Sequence, residues 1–248
     1  MTLPIITFIF HGELKKLLKS TNQYGVVRYN LRRRASIKDI LESLNVPHTE
    51  IGLIIHQEKE VDFSYIPREA QTIHIYPMTG AVIRSLPNLL WPERWLFDRF
   101  MVDINALKLA RNMRMAGIDT AIVPEMSVVD TGIIAANENR VVLTRNRQLL
   151  KCAEIIYGQL LSSENHIEQL REVNSRFALK NLLKPFSRCL NCNGQLQSVA
   201  KSTIEHLLEP LTKKFYTDFK RCEYCRDIYW RGSHVHHMEA MLAEIDWS

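Results

Sequence analysis

No hydrophobic run in this chain approaches the ~18 residues that a membrane-spanning helix requires, although 46% of its 248 residues are hydrophobic. Features of a secretory leader are missing too: the opening MTLPIITFIF is apolar, but it has no basic start and no small-residue cleavage site, and it alternates as a strand does. The expectation is a cytoplasmic protein. Cysteine is scarce, and its count of five is odd, which argues against a disulfide framework. Cys152 stands alone and is expected to pack in a helix, while the other four fall into two C-x-x-C pairs.

Excess charge of one sign is small as well. The net charge is +5, with 10 basic and 8 acidic groups in residues 1–80, 11 and 11 in 81–175, and 11 and 8 in 176–248. The middle is neutral and the ends are mildly basic, a balance that permits a polyanionic partner without requiring one.

What is present divides the chain into segments, 1–80, 81–98, 99–180 and 181–248. From residue 5 to 77 the order is strand (ITFIFHG), strand (VVRYNL), helix (SIKDILESL), strand (EIGLIIH) and strand (TIHIYP). Ser36 is placed to cap the helix with Asp39 at its third position, and Pro47 lies just beyond its end. One helix across a small mixed sheet is a β-grasp arrangement, and the segment resembles ubiquitin-like and sulfur-carrier domains. Those carriers act through a C-terminal Gly-Gly. This segment ends in YPMTGAV, which argues against conjugation chemistry; recruitment of a protein partner is one further option for it. Arg32 to Arg34 are either phosphate contacts or a charged guard on a strand edge. The segment 81–98, with Pro87 and Pro92, reads as an ordered connector in which Trp91 and Trp95 pack between domains.

From Phe100 strands alternate with helices: RFMV, NALKLARNMRMAG, DTAIV, SVVDTGIIAANEN, RVVLT, NRQLLKCAEI, YGQLL and a helix near 163–178, with Gly117 placed to end the first helix. Such β-α units imply an α/β fold, a mostly parallel sheet with flanking helices. Its ligand crevice lies past the C-terminal ends of the strands. Asp103, Asp130 and Asn146 fall at or near that edge; two carboxylates and an amide suit Mg²⁺ or Mn²⁺, and equally Asp and Asn there are ordinary helix caps. Arg111 and Arg114, three apart on one helix, and Arg145 and Arg147, flanking Asn146, are phosphate-binding candidates or solvated surface.

Cys189-x-x-Cys192 and Cys222-x-x-Cys225, separated by 29 residues, are two knuckles with the spacing of a closed structural zinc site made of four cysteines. After the second, IYWRGSHVHHM gathers Tyr229, Trp230, Arg231, His234, His236 and His237. Trp230 is expected in the core of that small domain, and Arg231 and His234 are expected to meet unpaired RNA.

FMVDINALKLARNMRMAGIDT, the following VVD, NRVVLTRNRQLL and the two cysteine knuckles together resemble the PIN-like ribonuclease family named after the C-terminal domain of the mutator-seven exonuclease, Mut-seven-C, in which a β-grasp segment is often fused in front. The resemblance implies a β-grasp domain, a PIN-like nuclease domain and a zinc ribbon. It also implies metal-dependent hydrolysis of RNA such as tRNA or rRNA, with acids matching Asp103 and Asp130. The family motif after the third strand reads T-R-D-R. Here it is TRNR, so Asn146 holds a metal-ligand position without its charge. Glu125, Asp119 and Glu164 are candidates to supply the missing carboxylate, or surface acids. The opposing reading is a weakened or inactive relative that binds RNA or a ribosomal surface.

Overall fold

The structure, a computed structural model, describes residues 5–19, 24–31, 33–68, 70–93, 95–123 and 126–247, with the side chains of His234 and His237 outside that description. Arg32 and Glu125 also lie outside it.

The N-terminal sheet is built from β1 (Ile5–Phe10), β2 (Val26–Asn30), β3 (Ile51–His56), β4 (Lys59–Glu60) and β5 (Thr72–Pro77), in the order β2-β1-β5-β3-β4. β1 and β5 run parallel and the other neighbours antiparallel. Alternation in β1 buries Ile6, Phe8 and Phe10, and alternation in β5 buries Ile73 and Ile75. Helix α1 (Ile37–Ser43) buries Ile37, Ile40 and Leu41, the i, i+3, i+4 stripe that faces a core. The Asp39 N–H donates to Ser36 Oγ at 3.2 Å, as the capping pattern in the sequence predicts. Each of these buried aliphatic side chains contributes about 1.5–3 kcal/mol relative to exposure. A short helix α2 (Gly80–Ser85) follows.

β6 (Arg99–Val102), α3 (Leu107–Met115), β7 (Asp119–Ile122), α4 (Val128–Asn137), β8 (Val141–Thr144), β9 (Gly158–Leu160) and α5 (His166–Phe177) follow in chain order. β6 pairs with β7 and β8 with β9, both in parallel, so the fold is mixed α/β with parallel strands flanked by helices behind an N-terminal sheet domain. Gly117 ends α3 with φ at +86°, and the Ile118 N–H reaches back to the Met113 carbonyl at 2.9 Å, closing a Schellman turn. A Cβ there would stand 2.0 Å from the Lys184 carbonyl oxygen, so the position requires glycine on two counts.

The expected helix over NRQLLKCAEI is only a 3-10 turn, Leu149–Lys151. Cys152 therefore lies at the end of a turn, not in a helix; it is buried, and a Cβ on Gly132 would come 2.7 Å from its sulfur. The C-terminal part carries β10 (Leu196–Val199), α6 (Lys201–Ile204), α7 (Pro210–Phe215), β11 (Phe219–Cys222), β12 (Ile228–Trp230) and α8 (Ser233–Ala243), with β10, β11 and β12 forming an antiparallel sheet. No described helix is long and apolar enough to cross a membrane.

The chain forms two compact units: Met1–Phe97 with Met126–Leu161 and Ser175–Phe177, and Asp98–Glu125 with Ser162–Asn174 and Ala178–Ser248. In the first, Trp91 is buried, donates from its indole to the Ile51 carbonyl at 2.9 Å and packs 5.0 Å from the Tyr157 ring, with Trp95 at 4.6 Å from the same ring. Glu50, 6% exposed, accepts from the Leu160 N–H at 2.7 Å and from both terminal nitrogens of Arg176, which closes this unit with a satisfied buried ion pair.

Candidate functional site

The four paired cysteines converge. Their sulfurs all lie within 4.8 Å of one another, with Cys189 to Cys225 and Cys192 to Cys222 each at 3.4 Å. A tetrahedral ion with metal–sulfur bonds of about 2.3 Å needs sulfur–sulfur edges of about 3.8 Å, so the donor set fits such an ion. Among the described residues this is the one group of three or more His, Cys, Asp or Glu side chains arranged to hold a metal.

The two knuckles repeat one backbone device. The Cys189 N–H bonds the Gly194 carbonyl at 2.8 Å and the Cys222 N–H bonds the Asp227 carbonyl at 2.9 Å, five residues on in both cases. The residue after each second cysteine, Asn193 at φ +69° and Arg226 at +67°, adopts the left-handed conformation that turns the chain under the sulfurs. A Cβ at Gly194 would come within 2.9 Å of Cys222 Sγ and 2.5 Å of the Tyr224 ring. Tyr229 completes the first knuckle: its hydroxyl lies 3.1 Å from Cys189 Sγ and accepts from the Leu190 N–H at 3.1 Å. Burial, and then its bond with Cys189, push this phenol above its ordinary range.

Arg114 corrects an expectation. It is 3% exposed, donating from Nε to the Thr120 carbonyl at 2.8 Å and from one terminal nitrogen to the Leu190 and Asn191 carbonyls at 2.9 and 2.7 Å. Burial works against its charge, while Cys189, Cys192 and Asp119 favour it. The guanidinium thus ties α3 and β7 to the first knuckle, and it does not face solvent where a phosphate would bind. Arg111, one turn earlier, is exposed. Asp119 belongs to the same clasp, accepting from Asn193 Nδ2 at 2.8 Å and pairing with Arg188 at 3.2 Å, while Asn193 Oδ1 accepts from the Thr120 N–H at 3.1 Å. That leaves Asp119 a structural acid and not a spare ligand. Nothing in a linear reading marks Asn193, because its role is to bond a strand more than seventy positions away.

Arg114→Met is expected to leave three carbonyls without their donor and to destabilise the protein by about 2–4 kcal/mol. A thermal melt should show a midpoint lower by about 5–10 °C. An unchanged midpoint would mean the clasp contributes nothing.

The strand-end residues have defined local roles. Asp103 directly follows β6 and accepts from the Asn105 N–H at 2.9 Å. Asp130 sits in the first turn of α4, taking the Ser127 hydroxyl at 2.6 Å while its own N–H donates to Ser127 Oγ at 3.1 Å, a reciprocal cap. Asn146 lies two residues past β8 and is exposed; its N–H donates to Thr144 Oγ1 and its Oδ1 accepts from the Gln148 N–H, both at 2.9 Å. An aspartate would accept the same N–H, so charge, not backbone, is what distinguishes Asn146 from the acid.

Arg145 is exposed, and Arg147 donates to the Leu17 carbonyl at 2.9 Å. Arg231 pairs with Glu239 and lies 5.3 Å from the Phe186 ring centre. Trp230 is half-buried, packing against Tyr216 and Phe219. Glu164 is exposed.

Parallel strands flanked by helices, an N-terminal sheet domain and a four-cysteine cluster define a mixed α/β class of protein. Comparison with known families agrees: residues 98–242 match the Mut7-C RNAse domain and residues 3–82 match the Mut7-C ubiquitin domain. The chain belongs to the Mut7-C RNAse family. No curated protein and no solved structure matches it.

Proposed function

We propose that this protein is a divalent-metal-dependent ribonuclease, endonucleolytic, acting on structured RNA such as tRNA or rRNA. The observation that carries the reading is the Mut7-C RNAse match over 98–242, with Asp103 at a strand end inside it. Asp103 and Asp130 are the carboxylates for Mg²⁺ or Mn²⁺, and Asn146 offers a neutral amide oxygen as a weaker third group. Such a cation activates water and offsets the charge that develops on a phosphodiester. Hydrolysis joins the oxygen of water to phosphorus and breaks the bond to one ribose oxygen, which takes up a proton. Arg111, Arg145 and Arg147 are the candidates to hold the phosphates on either side, and Arg231 and His234 those to meet an unpaired RNA end.

The four cysteines bind zinc in a closed structural site, whose work is folding and not chemistry. The ubiquitin-like domain recruits a protein partner, and the location is cytoplasmic.

Asn146 favours one second reading, an RNA- or ribosome-binding protein with an eroded site. The two part in a single tube. RNA is retained in EDTA on both readings, with affinity falling steeply as salt rises. Addition of Mn²⁺ then yields fragments if the protein is a nuclease, and unbroken RNA if it is only a binder; no retention at any salt contradicts both.

A further inference from the structure

A cavity of about 390 Å³ is lined by Leu107, Arg111, Ile122, Leu190, Asn191 and Tyr229, within the ~300–1,000 Å³ of ordinary small-ligand sites. Its position follows from the strands. Ile122, the last residue of β7, is the register partner of Val102, which immediately precedes Asp103. Leu107 and Arg111 stand one turn apart on α3, whose leading 3-10 turn is capped by Asp103. The opposite wall is the first cysteine knuckle, because Leu190 and Asn191 are the two residues between Cys189 and Cys192. Arg114 fixes that wall by bonding both of their carbonyls.

We infer that this cavity is a subsite for one unpaired nucleotide beside Asp103, walled on one side by the cysteine ribbon; the inference rests on the ribonuclease reading and adds the strand state of the substrate. Leu107, Ile122 and Leu190 supply apolar surface. The Tyr229 hydroxyl is engaged with Cys189 and the Leu190 N–H, so what it offers a ligand is its ring. Apolar and aromatic walls suit the flat face of a base, and the exposed Arg111 suits the phosphate attached to it. In an A-form duplex the base faces are stacked on one another and out of reach. The site therefore selects a loop, bulge or end within structured RNA. Because the wall is the loop between two cysteines, its shape depends on a loaded metal site.

The test is binding of short fluorescent RNA in EDTA, where cleavage is silent and the zinc site is checked by metal content. Native protein, Arg111→Ala and Leu107→Trp, which fills the cavity, are compared on a single strand and on the matching duplex. Expected is a loss of roughly tenfold for the single strand in both variants, with a salt slope lower by about one for Arg111→Ala only, and little change for the duplex. Melting curves check that both variants are folded. Native binding with both variants unchanged overturns the subsite and leaves the nuclease reading standing. A native protein that retains no RNA overturns both.

Discussion

Cys222→Ser is expected to leave a purified protein with well under one zinc per chain and a melting midpoint lower by more than about 10 °C. The reason lies in what the knuckles support. A bound cation would neutralise the four clustered thiolates; with Cys222 replaced the site is one donor short, and Cys192 loses the sulfur that lies 3.4 Å from its own. The knuckle loops then lose their shape, and with them go the Leu190 and Asn191 carbonyls that Arg114 grips and the Asn193 side chain that bonds Thr120 and Asp119. Damage should therefore spread from the ribbon into α3 and β7. Amide exchange would show faster opening at 113–122 as well as at 189–230. Full protection at 113–122 in a zinc-free protein would contradict the coupling.

Asn146→Asp is expected to speed RNA cleavage in Mg²⁺ by about ten- to a hundredfold, or ~1.4–2.8 kcal/mol of barrier. The local geometry makes this a change of charge alone. Thr144 Oγ1 holds the backbone at this position, and the side-chain oxygen that accepts from Gln148 is present in both amide and acid. A carboxylate adds a full negative charge where the proposed reading puts a divalent cation, which an amide dipole cannot match. Stability should be nearly unchanged, so the same melt that detects Arg114→Met serves as control. An equal rate in both proteins would mean that position 146 is not a ligand position.

The parts of this fold that were legible are those governed by local rules. Alternation in ITFIFHG and TIHIYP, the Ser36 cap and the glycine at 117 each act within a few residues, and each appears where the sequence placed it. The knuckle spacing was equally local. Arg114 was misplaced because helical spacing puts it near Arg111 but says nothing of what covers that face; the covering segment, Leu190 to Asn193, is some seventy-five positions away. The helix expected after β8 failed for a different reason. Asn146 uses its side chain to close a turn onto Gln148, and only one 3-10 turn fits before Cys152 packs against Gly132. β4 is two residues long, too short for any period to register.

The most direct test of the central claim is one gel of total cellular RNA incubated in Mn²⁺ with the native protein, Asp103→Asn and Asn146→Asp, each at the same folded concentration. The account predicts discrete fragments with the native protein, more of the same fragments with Asn146→Asp, and intact RNA with Asp103→Asn. Fragments of equal intensity in all three lanes would show that the cleavage does not arise from this site.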